Sequence, residues 1–93
     1  MHDQEDGVRS WAVGALGHIG DPEDFDLIVS LLGDDSMRVR GAAALALGDM
    51  ADSRGIEPLC AARRRLRRSP LEWYLHHKAY NKAIRKLKDG AKR

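Results

Sequence analysis

The sequence predicts an all-α protein built from stacked helix pairs, and three observations carry that reading. A 29-residue stretch recurs at a fixed offset of 31 residues. In both copies apolar side chains return at helical spacing, and no segment alternates apolar and polar residues with the period of two that a strand needs. The 93 residues are too few for more than one domain, and a chain this short is marginal unless something assists its core. A disulfide is excluded as that assistance, because Cys60 is the only cysteine.

The repeat aligns 3–31 with 34–62. Eight positions are identical: Asp3/Asp34, Val8/Val39, Arg9/Arg40, Ala12/Ala43, Ala15/Ala46, Leu16/Leu47, Gly17/Gly48 and Asp21/Asp52. In the first helix Val8, Trp11, Ala12, Ala15, Leu16 and Ile19 share one face, and Val39, Ala42, Ala43, Ala46, Leu47 and Met50 repeat that spacing. The two helices should pack side by side with Ala12, Ala15, Leu16, Ala43, Ala46 and Leu47 buried. Gly17 and Gly48 stand late in these helices, where glycine costs about 1 kcal/mol relative to alanine. Its recurrence at one position points to a close approach by a neighbouring backbone.

Gly20-Asp21-Pro22 ends the first helix and starts its partner: glycine for the left-handed turn, aspartate as cap, proline for the first turn. Phe25, Ile28, Val29 and Leu32 form the partner's apolar stripe. Gly33-Asp34-Asp35-Ser36 breaks the chain again and caps the next unit. Ile56, Leu59, Cys60 and Leu66 continue the second partner helix, with Cys60 a small apolar residue at the place of Val29. Ser69-Pro70-Leu71-Glu72 has the form of a capping box and opens a long helix over about 71–89, ending before Gly90. Its expected buried stripe is Leu71, Leu75, Ala79, Ala83 and Leu87, widened by Trp73, Tyr80 and Ile84. The chain then divides into one repeat over 3–33, a second over 34–68, and a capping helix with a basic tail over 69–93, all within a single domain 1–93.

Val8-Arg9-Ser10-Trp11-Ala12-Val13-Gly14-Ala15-Leu16-Gly17-His18-Ile19-Gly20-Asp21 and Val39-Arg40-Gly41-Ala42-Ala43-Ala44-Leu45-Ala46-Leu47-Gly48-Asp49-Met50-Ala51-Asp52 closely resemble the HEAT repeat, in the short form named after phycobilisome lyases. The resemblance covers 3–62. It implies a right-handed α-solenoid of about five helices with a long C-terminal capping helix, its second helices lining a concave face. The signature residues of that family are structural, so the resemblance implies a fold and a habit of binding proteins, with no catalytic residue and no cofactor. An accessory subunit of a lyase-type enzyme is a further role that the resemblance leaves open. Only two consensus units are present, and nothing in the sequence covers Trp11 and its neighbours. That face is therefore expected to meet another copy or a partner, or to continue a longer array.

The chemistry points the same way. No two of His2, His18, His76 and His77 stand three or four residues apart, Cys60 is at neither spacing from any of them, and no His-Glu dipeptide occurs, so no helical metal site is expected. His76 and His77 read as surface residues of the capping helix. The net charge of +2 conceals a split: residues 1–52 carry three basic and eleven acidic side chains, and residues 53–93 carry thirteen and three. The acidic start lacks the features of a secretory signal, and no apolar run spans a bilayer, so a cytoplasmic setting is expected.

The reading is a non-catalytic protein-interaction scaffold with two candidate surfaces. One is the second-helix face, with Glu23, Asp24, Asp26 and Ser30. The other is the basic end, with Arg63, Arg64, Arg67, Arg68, Lys78, Lys82, Arg85 and Lys86. Nucleic acid is the alternative partner of that basic end, because Trp73, Tyr74 and Tyr80 are interleaved with the cations. The charge split also suggests head-to-tail self-association, acidic end to basic end, with a symmetric dimer through the uncovered first helix as the alternative.

Overall fold

The computed structural model describes residues 3–91. Five α-helices follow one another: α1 (Asp3–Ile19), α2 (Phe25–Leu31), α3 (Met37–Met50), α4 (Ile56–Leu66) and α5 (Pro70–Ala91). One-turn 3₁₀ helices at Pro22–Asp24 and Ser53–Gly55 lead into α2 and α4. No strand occurs among the described residues.

The turns form as their residues dictate. Gly20 takes φ +75°, and the Asp21 carboxylate accepts the Glu23 N–H at 2.9 Å. One repeat later the same geometry returns with Ala51 at φ 58° and Asp52 accepting the Arg54 N–H at 2.9 Å. Ser36 caps α3 by accepting from the Val39 N–H, and Ser69 caps α5 by accepting from the Glu72 N–H, each at 3.4 Å. The capping box at Ser69 is only half made. The Ser69 N–H goes to the Leu66 carbonyl, which leaves the Glu72 carboxylate for another partner.

Helices α1, α3 and α5 lie side by side and parallel, with Gly7 opposite Arg38 and Gly17 opposite Ala46, then Gly41 opposite His76 and Gly48 opposite Ala83. Helix α2 packs on α3, and α4 on α5. The result is a slab of 43 × 27 × 16 Å, two helices thick. α5 thus fills the place of a third first-helix, and α3 is covered on both sides.

The core reflects that central position. Val39, Ala43, Ala44, Ala46 and Leu47 of α3 are fully buried, with Ile28, Leu59, Tyr80, Ile84 and Leu87 around them. Small residues in α3 let its neighbours close in, which is why a run of alanines can build a dense core. Cys60 is half-buried against this core.

Three expectations are corrected. Ala12 is exposed, because α1 turns Val13 and Gly17 towards α3 and leaves the Val8–Trp11–Ala12 side outside. The stripe along α5 begins later than expected: Leu71 and Leu75 are 63% and 52% exposed, and burial runs through Glu72, Tyr80, Ala83, Ile84 and Leu87. Finally, α5 runs through Gly90 to Ala91, since that glycine has open space around it and makes no turn.

Candidate functional site

Two ion-pair systems tie the repeats together before any outward-facing site is built. Arg9 of α1 reaches Asp34 in the following turn, Nη2 to Oδ2 at 3.1 Å, and also Asp6 at 3.2 Å. Arg40, its counterpart one repeat later, grips Glu72 of α5 with two bonds, Nε to Oε2 at 2.9 Å and Nη2 to Oε1 at 2.7 Å. A third bond from Arg40 Nη1 reaches the Asp34 carbonyl at 2.6 Å. The same arginine in each repeat therefore holds the acid that opens the next first-helix. Asp34 lies below its ordinary pKa because its carboxylate accepts the Ser36 N–H, with the Arg9 guanidinium adding to this against a smaller opposing effect of burial. The Glu72 carboxylate bound to Arg40 holds that guanidinium above its usual value. The Arg9/Arg40 identity was the available sequence signal for this ladder. It was missed because each partner acid lies in the next unit.

Tyr80 is buried at the floor of a crevice of about 250 Å³ that Asp34, Arg40, Arg65 and Glu72 line. Burial, and then the nearby Glu72 carboxylate, push its phenol above the ordinary tyrosine value.

The expected basic end is dispersed over several surfaces. Arg63 bonds Asn81 of α5 at 2.9 Å, and Arg67 lies 5.6 Å over the Trp73 ring. Lys86 pairs with Asp49 at 2.9 Å, and with Lys82 it lines a groove against α3. Arg64, Arg68, Lys78 and Arg85 are exposed, and their side chains make no hydrogen bond or ion pair with the described residues. They are the members of the expected basic set whose charge is open to a partner.

The aromatic residues divide too. Tyr80 is buried, and Trp73 is half-buried, stacked on His77 with centroids 4.8 Å apart. Of the three aromatic residues interleaved with the cations, only Tyr74, 77% exposed, faces solvent. The two histidines are therefore more than plain surface: His77 Nδ1 lies 2.7 Å from the Trp73 carbonyl, and the His76 ring covers Gly41.

On the second-helix face, Glu23, Asp26 and Ser30 are exposed and Asp24 is half-buried. Ser30 is committed locally, its hydroxyl donating to the Leu27 carbonyl at 2.6 Å. Arg54 lies 4.5 Å over the Phe25 ring, joining the second repeat to the first and placing a cation among these acids. No cluster of three His, Cys, Asp or Glu able to hold a metal occurs among the described residues. Nor is any helix there long and apolar enough to cross a membrane.

The parallel first-helices and the repeated glycine contacts define a protein of stacked helical repeats. The family model for HEAT repeats matches residues 1–76, and the chain belongs to the HEAT-repeat family. No curated protein and no solved structure gives a significant match to it.

Proposed function

We propose that the chain is a non-catalytic protein-interaction module whose basic end receives an acidic segment of another protein in the cytoplasm. The observation that carries this is a set of exposed cations on α4, α5 and the turn between them that have no acidic partner among the described residues. Arg9, Arg40, Arg54 and Lys86 each have an acidic partner, while Arg64, Arg68, Lys78 and Arg85 have none among the described residues. Exposed cations with no internal role contribute little to stability, but they steer an oppositely charged partner and set its orientation.

Nucleic acid is the less favoured partner because stacking of bases needs exposed rings along the basic groove. Trp73 and Tyr80 are occupied within the fold, which leaves Tyr74 alone. The acids of the first repeat would also repel a duplex lying along the slab.

Capture from nuclease-treated native extract, with the wild type and a Lys78→Glu, Lys82→Glu, Arg85→Glu, Lys86→Glu variant, tests this reading. The variant should melt close to the wild type and lose the captured partner. Duplex DNA should bind only at low salt, with log affinity falling by about 0.9 per neutralised phosphate for each unit of log salt. Sub-micromolar DNA binding that persists at physiological salt would overturn the proposal.

A further inference from the structure

The outer side of α1 carries Val8, Trp11, Ala12, Ala15 and Ile19 at i, i+3, i+4, i+7 and i+11, a single face with no ionisable side chain. Val8 is 67% exposed, Trp11 76% and Ile19 72%. The molecule contains its own control for this face. One repeat later the counterparts Val39, Ala43 and Ala46 are wholly buried, because helices of the first repeat cover them. The stripe on α1 thus has the composition of a covered face and lacks its cover.

The stacking register restricts what that cover can be. Ala46 is met by Gly17 and Ala83 by Gly48, so a helix stacked in parallel on an alanine of this series offers no side chain there. Ala15 is the next member of the series. The other end of the chain cannot supply such a helix, since the register that places Gly48 on Ala83 puts Arg85 of α5 where a glycine would have to be. Simple head-to-tail stacking, acidic end on basic end, is blocked by that side chain.

We infer that the cover is α1 of a second copy, related by a two-fold axis between Ala12 and Ala15. The stripe reads almost alike in both directions. With two α1 helices antiparallel, Ala12 faces Ala15 of the other copy, Val8 faces Ile19, and each Trp11 lies beside the small-residue centre. Small side chains at the axis allow two antiparallel helices to approach closely. The absence of charge means that the face meets itself without repulsion, and the two helix dipoles run in opposite directions. A tryptophan alone buries about 150–250 Å². The stripes together therefore reach the order of 1,000 Å² at which a specific interface becomes stable, the range of weak, reversible dimers. This surface is separate from the basic end, and neither reading depends on the other.

Sedimentation of the full chain from micromolar to near-millimolar concentration tests the inference. A monomer–dimer equilibrium insensitive to salt is expected, with Trp11→Glu weakening association at least about 30-fold, as for loss of an aromatic anchor, at unchanged helicity. With Cys60 replaced by serine, Ala12→Cys and Ala15→Cys made together should give a disulfide-linked dimer on mild oxidation, and Arg64→Cys in the same background should not. A monomer at all concentrations overturns the inference. So does a dimer that Trp11→Glu leaves intact, or one that dissolves as salt rises.

Discussion

Gly17 of α1 lies against the backbone of Ala46 in α3, so close that a Cβ at position 17 would come within 2.5 Å of the Ala46 Cα. Gly14, one turn earlier in the same helix, has nothing within 4 Å of where its Cβ would be. Alanine is the better helix former by about 1 kcal/mol, so the two sites separate propensity from packing. Gly14→Ala should raise stability by up to about 1 kcal/mol. Gly17→Ala should lower it by about 1–3 kcal/mol, because α1 must move away from α3 to admit a methyl group. Urea unfolding of both variants reads the difference, and shifts of equal sign would refute the close-approach argument.

The bidentate Arg40–Glu72 pair couples the second repeat to the last helix from a half-buried position, with the side chains 25% and 9% exposed. Removing one partner leaves the other charge desolvated without compensation, whereas removing both does not. Glu72→Ala should cost about 2–3 kcal/mol, within the range for losing charged hydrogen bonds. The Arg40→Met, Glu72→Leu double variant should cost much less than the sum of its single changes. A double-mutant cycle checks this, and additive losses would show that the two side chains act independently.

Ala51 ends α3 in the left-handed region at φ 58°, where the first repeat has Gly20 at φ +75°. An L-residue with a side chain is disfavoured there by about 1–2 kcal/mol, and glycine is not. Ala51→Gly should therefore stabilise the protein by about 1 kcal/mol, and Gly20→Ala should destabilise it by a similar amount. Thermal melting of the two variants provides the check, with opposite shifts expected.

What the sequence made legible and what it hid follow one line. Features set by a residue and its immediate neighbours were readable: the caps at Asp21, Ser36 and Ser69, and the glycines whose recurrence betrays a contact. Features set by the adjoining unit were not. Val8 and Val39 have the same local pattern, yet one is 67% exposed and the other buried, because burial depends on which helix lies alongside. The α5 stripe was mis-phased for a related reason: Glu72 is drawn inward by Arg40, which lies 32 residues earlier in the chain. The candidate basic site suffered most, since a charge run says nothing of which cations are already engaged. Arg63, Arg67 and Lys86 are engaged, by Asn81, Trp73 and Asp49.

The pH dependence of stability should be bounded on both sides. Asp34 and Asp52 both lie below the ordinary carboxylate value: Asp34 chiefly through the Ser36 N–H, Asp52 chiefly through the Arg54 guanidinium and then its N–H. A carboxyl with a depressed folded-state pKa contributes stability that is fully present above its unfolded value, near 3.9, and is lost as pH falls through the folded value. On this side the unfolded chain binds more protons, so stability should rise with pH up to about 5 and then level off. Tyr80 acts at the other limit. Its phenol is raised by burial, so the neutral form is favoured in the fold, and the stability it contributes is present below about 10 and lost as pH rises through the folded value. Urea midpoints across the pH range should trace this plateau. Asp34→Asn should make the acid limb shallower, because the amide oxygen can still cap the turn while the titrating charge is gone. Tyr80→Phe should remove much of the alkaline limb at little cost near neutrality, since the hydroxyl makes no hydrogen bond among the described residues. Stability that increased from pH 5 to pH 3, or an alkaline limb unchanged in Tyr80→Phe, would contradict these assignments.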